Sequence, residues 1–169
     1  AEREIVFIKP DLLIGVDRIF APEGTHHTVE QFFHFGSGTL EQEDASVLWQ
    51  GKQTCAQLHW LAGQFAARSE VSTAPLYNLK NKTPVLGLKC HTGSTASLPF
   101  VLCLGGTCTV KLLPVTDGNG RLLAPDAVQA VRITRNGQSV TVIFCHKTGA
   151  HDAALLCADG CAGHGSVLV

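Results

Sequence analysis

The chain has no methionine, one tyrosine, two tryptophans and a charged fraction of only 16% over 169 residues. Lack of Met predicts a piece of a longer protein, so catalytic groups of the parent can lie outside it. Charge of one sign is also lacking. Thirteen Lys and Arg stand against fourteen Asp and Glu, a net charge of −1, and the cations are scattered. Nucleic acid is therefore not expected as a partner, because phosphate backbones select clustered positive charge. No apolar run approaches the roughly 20 residues that cross a bilayer, and no charged-then-apolar leader precedes the first strand. The expectation is a chain that does not meet a membrane. Gly-x-Ser-x-Gly, phosphate-binding glycine loops and dinucleotide fingerprints are absent from the sequence, so no catalytic residue is assigned.

What is present is strand signal from end to end. Ile5 to Ile8, the turn at Pro10-Asp11, and Leu12 to Val16 read as a hairpin, and His27 to Phe35 as a further long strand. Together they predict a three-stranded antiparallel meander. Gly36 to Asp44 reads as a glycine- and acid-rich loop, Ser46 to Gln50 as a short strand, and Leu58-His-Trp-Leu61 as a strand despite partly helical spacing around it. Ser72 to Tyr77 is expected to break regular structure, and Pro84 to His91 to resume it. Ser97 to Leu104 then turns at Gly105-Gly106 into Thr107 to Pro114; a two-residue loop there would set Leu104 against Thr107 and Cys103 against Cys108.

Asp117-Gly-Asn-Gly120 is a turn cluster. Asn136-Gly137 is the dipeptide of a type I′ hairpin, and the pairing it imposes is checkable. Arg135 should face Gln138, Ile133 Val140, and Val131 Val142, which gathers the Val and Ile side chains on one face and Arg132, Thr134, Ser139 and Thr141 on the other. Ala153 to Cys157 and Ser166 to Val169 add short strands around Asp159-Gly160. The expected fold is one all-β domain over 1–169, an antiparallel β-sandwich of two stacked sheets with about ten to twelve strands. A chain of this length buries a core without disulfides or metal.

Seven cysteines, an odd number, leave at least one thiol unpaired, and several sit among apolar neighbours where a free Cys packs as a small hydrophobe. Eight histidines raise the question of a metal. His26, Glu30 and His34 share one strand parity, but four positions along a strand span roughly 13 Å, too far for one ion. His27 or His34 would need donors from neighbouring strands. Cys157, Cys161 and His164, with His151 upstream, match no zinc spacing, and turn-flanking thiols are the simpler reading. No metal is assigned. Asp17-Arg18 reads as a structural bridge or interdomain contact, Tyr77 as a loop residue, and Trp49 and Trp60 as anchors that could alternatively stack on sugar rings.

The order Arg3-Glu-Ile-Val-Phe-Ile-Lys-Pro-Asp-Leu-Leu-Ile-Gly-Val-Asp-Arg18, then His27-x-Val-Glu-Gln-Phe-Phe-His34, then Ser72-x4-Tyr77 leading to Pro99-Phe-Val-Leu, resembles the C-terminal β-sandwich of heparinase II/III-like polysaccharide lyases. The resemblance covers about two-thirds of the chain and weakens after Pro114. It implies a parent enzyme with an N-terminal α/α toroid that cleaves uronic-acid-containing polysaccharide by β-elimination. It also implies a periplasmic or secreted setting, which sits uneasily with reduced thiols. The family's catalytic Asn, His and Tyr and its metal ligands find no match here, so no cofactor is carried over, although structural zinc or calcium is possible in the parent. The piece is expected to be inactive alone, packing on the toroid and helping to form the substrate cleft. His27, His34, Arg18, Trp60 and Tyr77 are the candidate substrate or interdomain contacts. The rival expectations are a free-standing carbohydrate-binding module and a metal-stabilised structural domain.

Overall fold

The computed structural model describes residues 1–22, 24–77, 79–93, 95–146 and 154–169, the side chains of 65–68, 75 and 76 excepted. Among these residues there is no helix; sixteen strands form four sheets whose pairings are all antiparallel. The protein is all-β, with more strands and sheets than the ten to twelve strands in two sheets expected from sequence. Among the described residues no helix is long and apolar enough to cross a membrane. The chain forms two compact units, Ala1–Thr107 and Cys108–Val169.

The first unit holds β1 (Glu2–Ile8), β2 (Leu12–Ile19), β3 (His27–His34), β4 (Thr39–Glu43), β5 (Ser46–Gln50), β6 (Cys55–Trp60), β7 (Gln64–Leu76), β8 (Leu79–Thr92) and β9 (Ala96–Leu104). A six-stranded sheet runs in the order β1-β2-β9-β6-β5-β4, and a three-stranded sheet in the order β3-β8-β7. One core joins them: Leu58, Trp60 and Phe100 from the larger sheet meet Leu86 and Leu88 of β8, with Phe33 of β3 packed alongside. The Phe33 and Phe100 rings lie edge to face at 5.1 Å. Phe100 in turn covers Gly15, where a Cβ would fall 2.3 Å from the ring. Only glycine lets that ring lie down on β2.

Two features of the opening stretch separate here. The β1–β2 hairpin forms as expected, with Ile5 opposite Gly15 and Phe7 opposite Leu13. The meander does not. β3 leaves for the smaller sheet and pairs with β8, while the free side of β2 takes β9. β2 is buried along nearly its whole length, a pattern that demands a neighbour on each side. The expected loop over Gly36–Asp44 contains β4, an edge strand whose Thr, Glu and Gln side chains suit a solvated position. The expected break at Ser72–Tyr77 is instead the end of β7, with Pro75 falling in a register irregularity between Thr73 and Leu76. An irregular ladder tolerates a residue that cannot donate.

The second unit holds β10 (Thr109–Leu113), β11 (Thr116–Asp117), β12 (Val128–Arg135), β13 (Gln138–Cys145), β14 (Leu156–Ala158), β15 (Cys161–Gly163) and β16 (Val167–Leu168). These form a sheet in the order β10-β12-β13-β16 and another in the order β11-β14-β15. Val128, Ala130, Ile143 and Cys145 of the first meet Leu156 and Ala158 of the second in a separate core. The β12–β13 hairpin has the register its turn dictates, Arg135 opposite Gln138, Ile133 opposite Val140 and Val131 opposite Val142. Asn136 and Gly137 carry the positive φ of 51° and 76° that this turn needs. Asp159 and Gly160, at 55° and 78°, make an equivalent turn between β14 and β15. Asp117 Oδ1 accepts from the backbone N–H of Asn119 and Arg121, each at 2.9 Å, closing the expected turn cluster.

The Gly105-Gly106 hairpin is a further correction. β9 is paired on both sides, by β2 and β6, and β10 pairs with β12, so Cys103 lies opposite Leu12 and Gln57. No disulfide joins any of the seven cysteines.

Candidate functional site

At one end of the smaller sheet the β3–β8 ladder closes on a reciprocal pair. His27 lies opposite Thr92, and Thr28 opposite His91. Successive residues of a strand point to opposite faces, so the two pairs present an imidazole and a hydroxyl on each face of the sheet end. His26 and Gly93 extend the two strands, and His26, His27, Thr28, His91, Thr92 and Gly93 line an open cleft of about 230 Å³. The three histidines are exposed.

Hydrogen bonds fix two of the rings. The Thr25 hydroxyl donates to the Pro22 carbonyl at 2.6 Å, which uses its only proton. Its oxygen, 2.8 Å from His27 Nε2, must therefore accept, so Nε2 carries the hydrogen and Nδ1 lies outside this bond. His91 Nδ1 lies 3.0 Å from the Thr28 hydroxyl, leaving Nε2 as its second site. The nearest charges on the same face are Glu30 and Lys89, a cross-strand pair at 3.3 Å. No Asp, Glu or Cys is among the described residues that line the cleft. The arrangement can donate hydrogen bonds to hydroxyls and anions.

The five sequence candidates do not come together. His34 is exposed at the opposite end of β3, opposite Val85. Seven positions separate it from His27, roughly 23 Å along a strand. Tyr77, 94% exposed, sits at the turn between β7 and β8. The whole of β8 lies between it and the cleft, roughly 40 Å. Trp60 is 5% exposed within the core, so neither ring face is open to a sugar. Trp49 is half-buried: it stacks on Phe35 at 6.4 Å, donates to the Gly36 carbonyl at 3.0 Å, and packs where side chains on Gly36, Gly38 and Gly51 would fall. The glycines of that loop serve the tryptophan.

Arg18 and Asp17 point to opposite faces of β2 and find different partners on β1. Arg18 Nη1 donates to Glu2 Oε2 at 3.2 Å, and its guanidinium lies 4.8 Å from the Phe20 ring centroid. Asp17 accepts from Arg3 through both carboxylate oxygens and from Gln31 Nε2 at 2.7 Å. Asp17 and Gln31 are both buried. This is a polar tie between the two sheets, β2 to β3. The hydrogen bond to Asp17 holds the Arg3 guanidinium above its ordinary pKa, with desolvation pulling the other way. Glu4, on the face of Arg18, is raised by burial, against the attraction of Arg18. Neither group is near the cleft chemistry in role: both belong to the β1–β2 hairpin.

Among the described residues no three His, Cys, Asp or Glu side chains are placed to share a metal ion. Cys157 and Cys161 flank the β14–β15 turn as free thiols; His151 lies outside the described residues, as does Ala153 of the strand expected there. Sequence reasoning missed His26, Thr28, His91 and Thr92 as a group. The signal was there in the repeated dipeptide His-Thr, at 27–28 and 91–92.

No protein-family model matches the chain, and no curated protein matches it.

Proposed function

We propose that this chain is a non-catalytic β-sandwich region of a heparinase II/III-like polysaccharide lyase, packing on an α/α toroid of the parent and contributing to the polysaccharide cleft. The observation that carries the reading is the histidine- and threonine-lined cleft at the end of the β3–β8 ladder. Its groups hydrogen-bond hydroxyls and acidic substituents, the two features of a polyuronate. Two sheets meeting over one core in the Ala1–Thr107 unit support the sandwich. The resemblance of the Arg3–Arg18, His27–His34 and Ser72–Tyr77 segments supplies the family.

The test is incubation of the chain with heparan sulfate or alginate while following the ultraviolet absorbance of unsaturated uronate. No rise is expected from the chain alone. A steady rise would show that the chain is itself a lyase and refute the non-catalytic reading.

A free-standing carbohydrate-binding module is the second reading, favoured by one observation, the 94% exposure of Tyr77. Burial of Trp60 removes one of its expected platforms. Glycan-array binding lost in Tyr77→Ala and retained in His27→Gln would select this module over the cleft.

A further inference from the structure

We infer that the cleft formed by His26, His27, Thr28, His91 and Thr92 is an acid-gated anion subsite, taking a carboxylate or sulfate group carried on an acidic polysaccharide. The inference rests on the polysaccharide reading above and adds the group recognised and the condition for recognising it.

Three imidazoles line one open cleft without a carboxylate among the described lining residues, so protonation there builds positive charge that nothing in the lining cancels. The groups facing the cleft from each packed element are few. From β3 come His27 and Thr28, with Glu30 two positions beyond Thr28; from β8 come His91 and, on the same face two positions away, Lys89; the segment before β3 supplies Thr25 and His26. Glu30 is already engaged by Lys89 at 3.3 Å and so does not set the charge of the imidazoles.

The hydrogen bonds make protonation compatible with the existing geometry. His27 already donates through Nε2 to Thr25, so a proton gained at Nδ1 costs no bond and creates a second donor. His91 keeps its contact with Thr28 in either state, because the hydroxyl can donate to a bare Nδ1 or accept from a protonated one. In the charged form each ring retains its threonine and offers one further N–H, His27 Nδ1 and His91 Nε2. Charge-assisted donors of this kind bind oxyanions about twice as strongly as neutral ones. Histidine changes charge between about pH 5 and pH 8, which makes the site one that fills in acid and empties as pH rises.

The experiment is calorimetric titration of the chain with alginate, whose acidic groups are carboxylates, and separately with dextran sulfate, at about pH 5.5 and about pH 8 and constant ionic strength. The wild-type chain should bind at the lower pH and lose about tenfold or more in affinity at the higher, as expected when bound anion and proton uptake are linked. Binding of only one polymer identifies the group as carboxylate or sulfate. His27→Gln/His91→Gln should lose the pH dependence, and His34→Gln, at the far end of β3, should keep it. In the wild type, the Cε1 proton resonances of His27 and His91 should move on addition of the bound polymer. Equal affinity at both pH values, or an unchanged pH dependence in the double variant, overturns the acid-gated subsite and leaves the polysaccharide reading standing. Absence of binding to either polymer at both pH values overturns both.

Discussion

Replacing Asp17 should loosen the two sheets of the first unit from each other, and by a predictable amount. The carboxylate receives Arg3 from β1 and Gln31 from β3, so it ties three strands at once. The two ends of the tie are not equivalent. The Arg3 side chain is 52% exposed against 12% for Asp17, so water screens that pair and its loss costs only about 0–1 kcal/mol. Gln31 is buried, and an amide left there without its acceptor costs about 1–3 kcal/mol. Asp17→Ala should therefore lose about 1–4 kcal/mol in all. Asp17→Asn keeps one acceptor and should lose about half as much. Gln31→Met, which removes the donor while filling its volume, should cost about 1 kcal/mol or less. In a unit of this size each kcal/mol is worth about 4–8 °C of melting temperature. Thermal denaturation gives the ranking, and amide hydrogen exchange gives the location: protection should fall in both β2 and β3 in Asp17→Ala. Loss of protection confined to β1 and β2 would refute the inter-sheet role, as would a cost below about 0.5 kcal/mol.

Three other substitutions test separate parts of the fold. Gly15→Ala would place a Cβ 2.3 Å from Phe100 Cζ and should destabilise the first unit by about 1–3 kcal/mol, with much of the loss recovered in Gly15→Ala/Phe100→Leu. A second-site change that recovers nothing would show that the ring is not the obstacle. Gly137→Ala, at φ 76°, should cost about 1 kcal/mol and raise exchange along β12 and β13 only. Glu4 tests the linkage of pH to stability. Its folded pKa is raised by burial, so whatever stability it contributes is fully present below the ordinary Glu range and is lost as pH rises through the raised value. Glu4→Gln should thus melt slightly higher than wild type at neutral pH, with the two curves converging in acid; a variant that melts lower at neutral pH contradicts the sign.

Local signals were read from the sequence where the deciding interaction is itself local. Asn136-Gly137 fixes a register because the turn geometry and the alternation of Val131, Ile133, Val140 and Val142 agree over a few residues. Pro10-Asp11 closes the β1–β2 hairpin for the same reason. What sequence order misassigned was which strand comes next. β3 follows β2 in the chain, yet β2 pairs with β9, about eighty residues away, because a strand apolar on both faces is better covered from the middle of a sheet. Gly105-Gly106 failed in the same manner: its dipeptide suits a hairpin, but β9 already had two partners. Glycines at 36 and 38 suggested a loop, and their role became visible only with Trp49 packed against them.

The cleft shows why strand parity alone could not find it. Parity sorts the residues of one strand between two faces; it put His26, Glu30 and His34 on one face, and the rise along the strand is what held them too far apart to share an ion. Parity also separated His27 from His91 once their pairing is known, since His27 lies opposite Thr92 on one face and His91 opposite Thr28 on the other. Midway along the ladder that separation would be final, because one face is filled by Gln31, Phe33, Leu86 and Leu88 and only the other is open. At the end of the ladder the core stops. A ligand there can reach around the last pair, so groups from both faces line one cleft, and the relevant neighbour becomes the residue across the strand, 63 positions away in the case of Thr28 and His91. The repeated His-Thr dipeptide acquires its meaning from that register: run antiparallel, two copies place each imidazole across from a threonine, His91 bonding the Thr28 opposite it while His27 bonds Thr25, and each ring keeps one nitrogen outside these bonds.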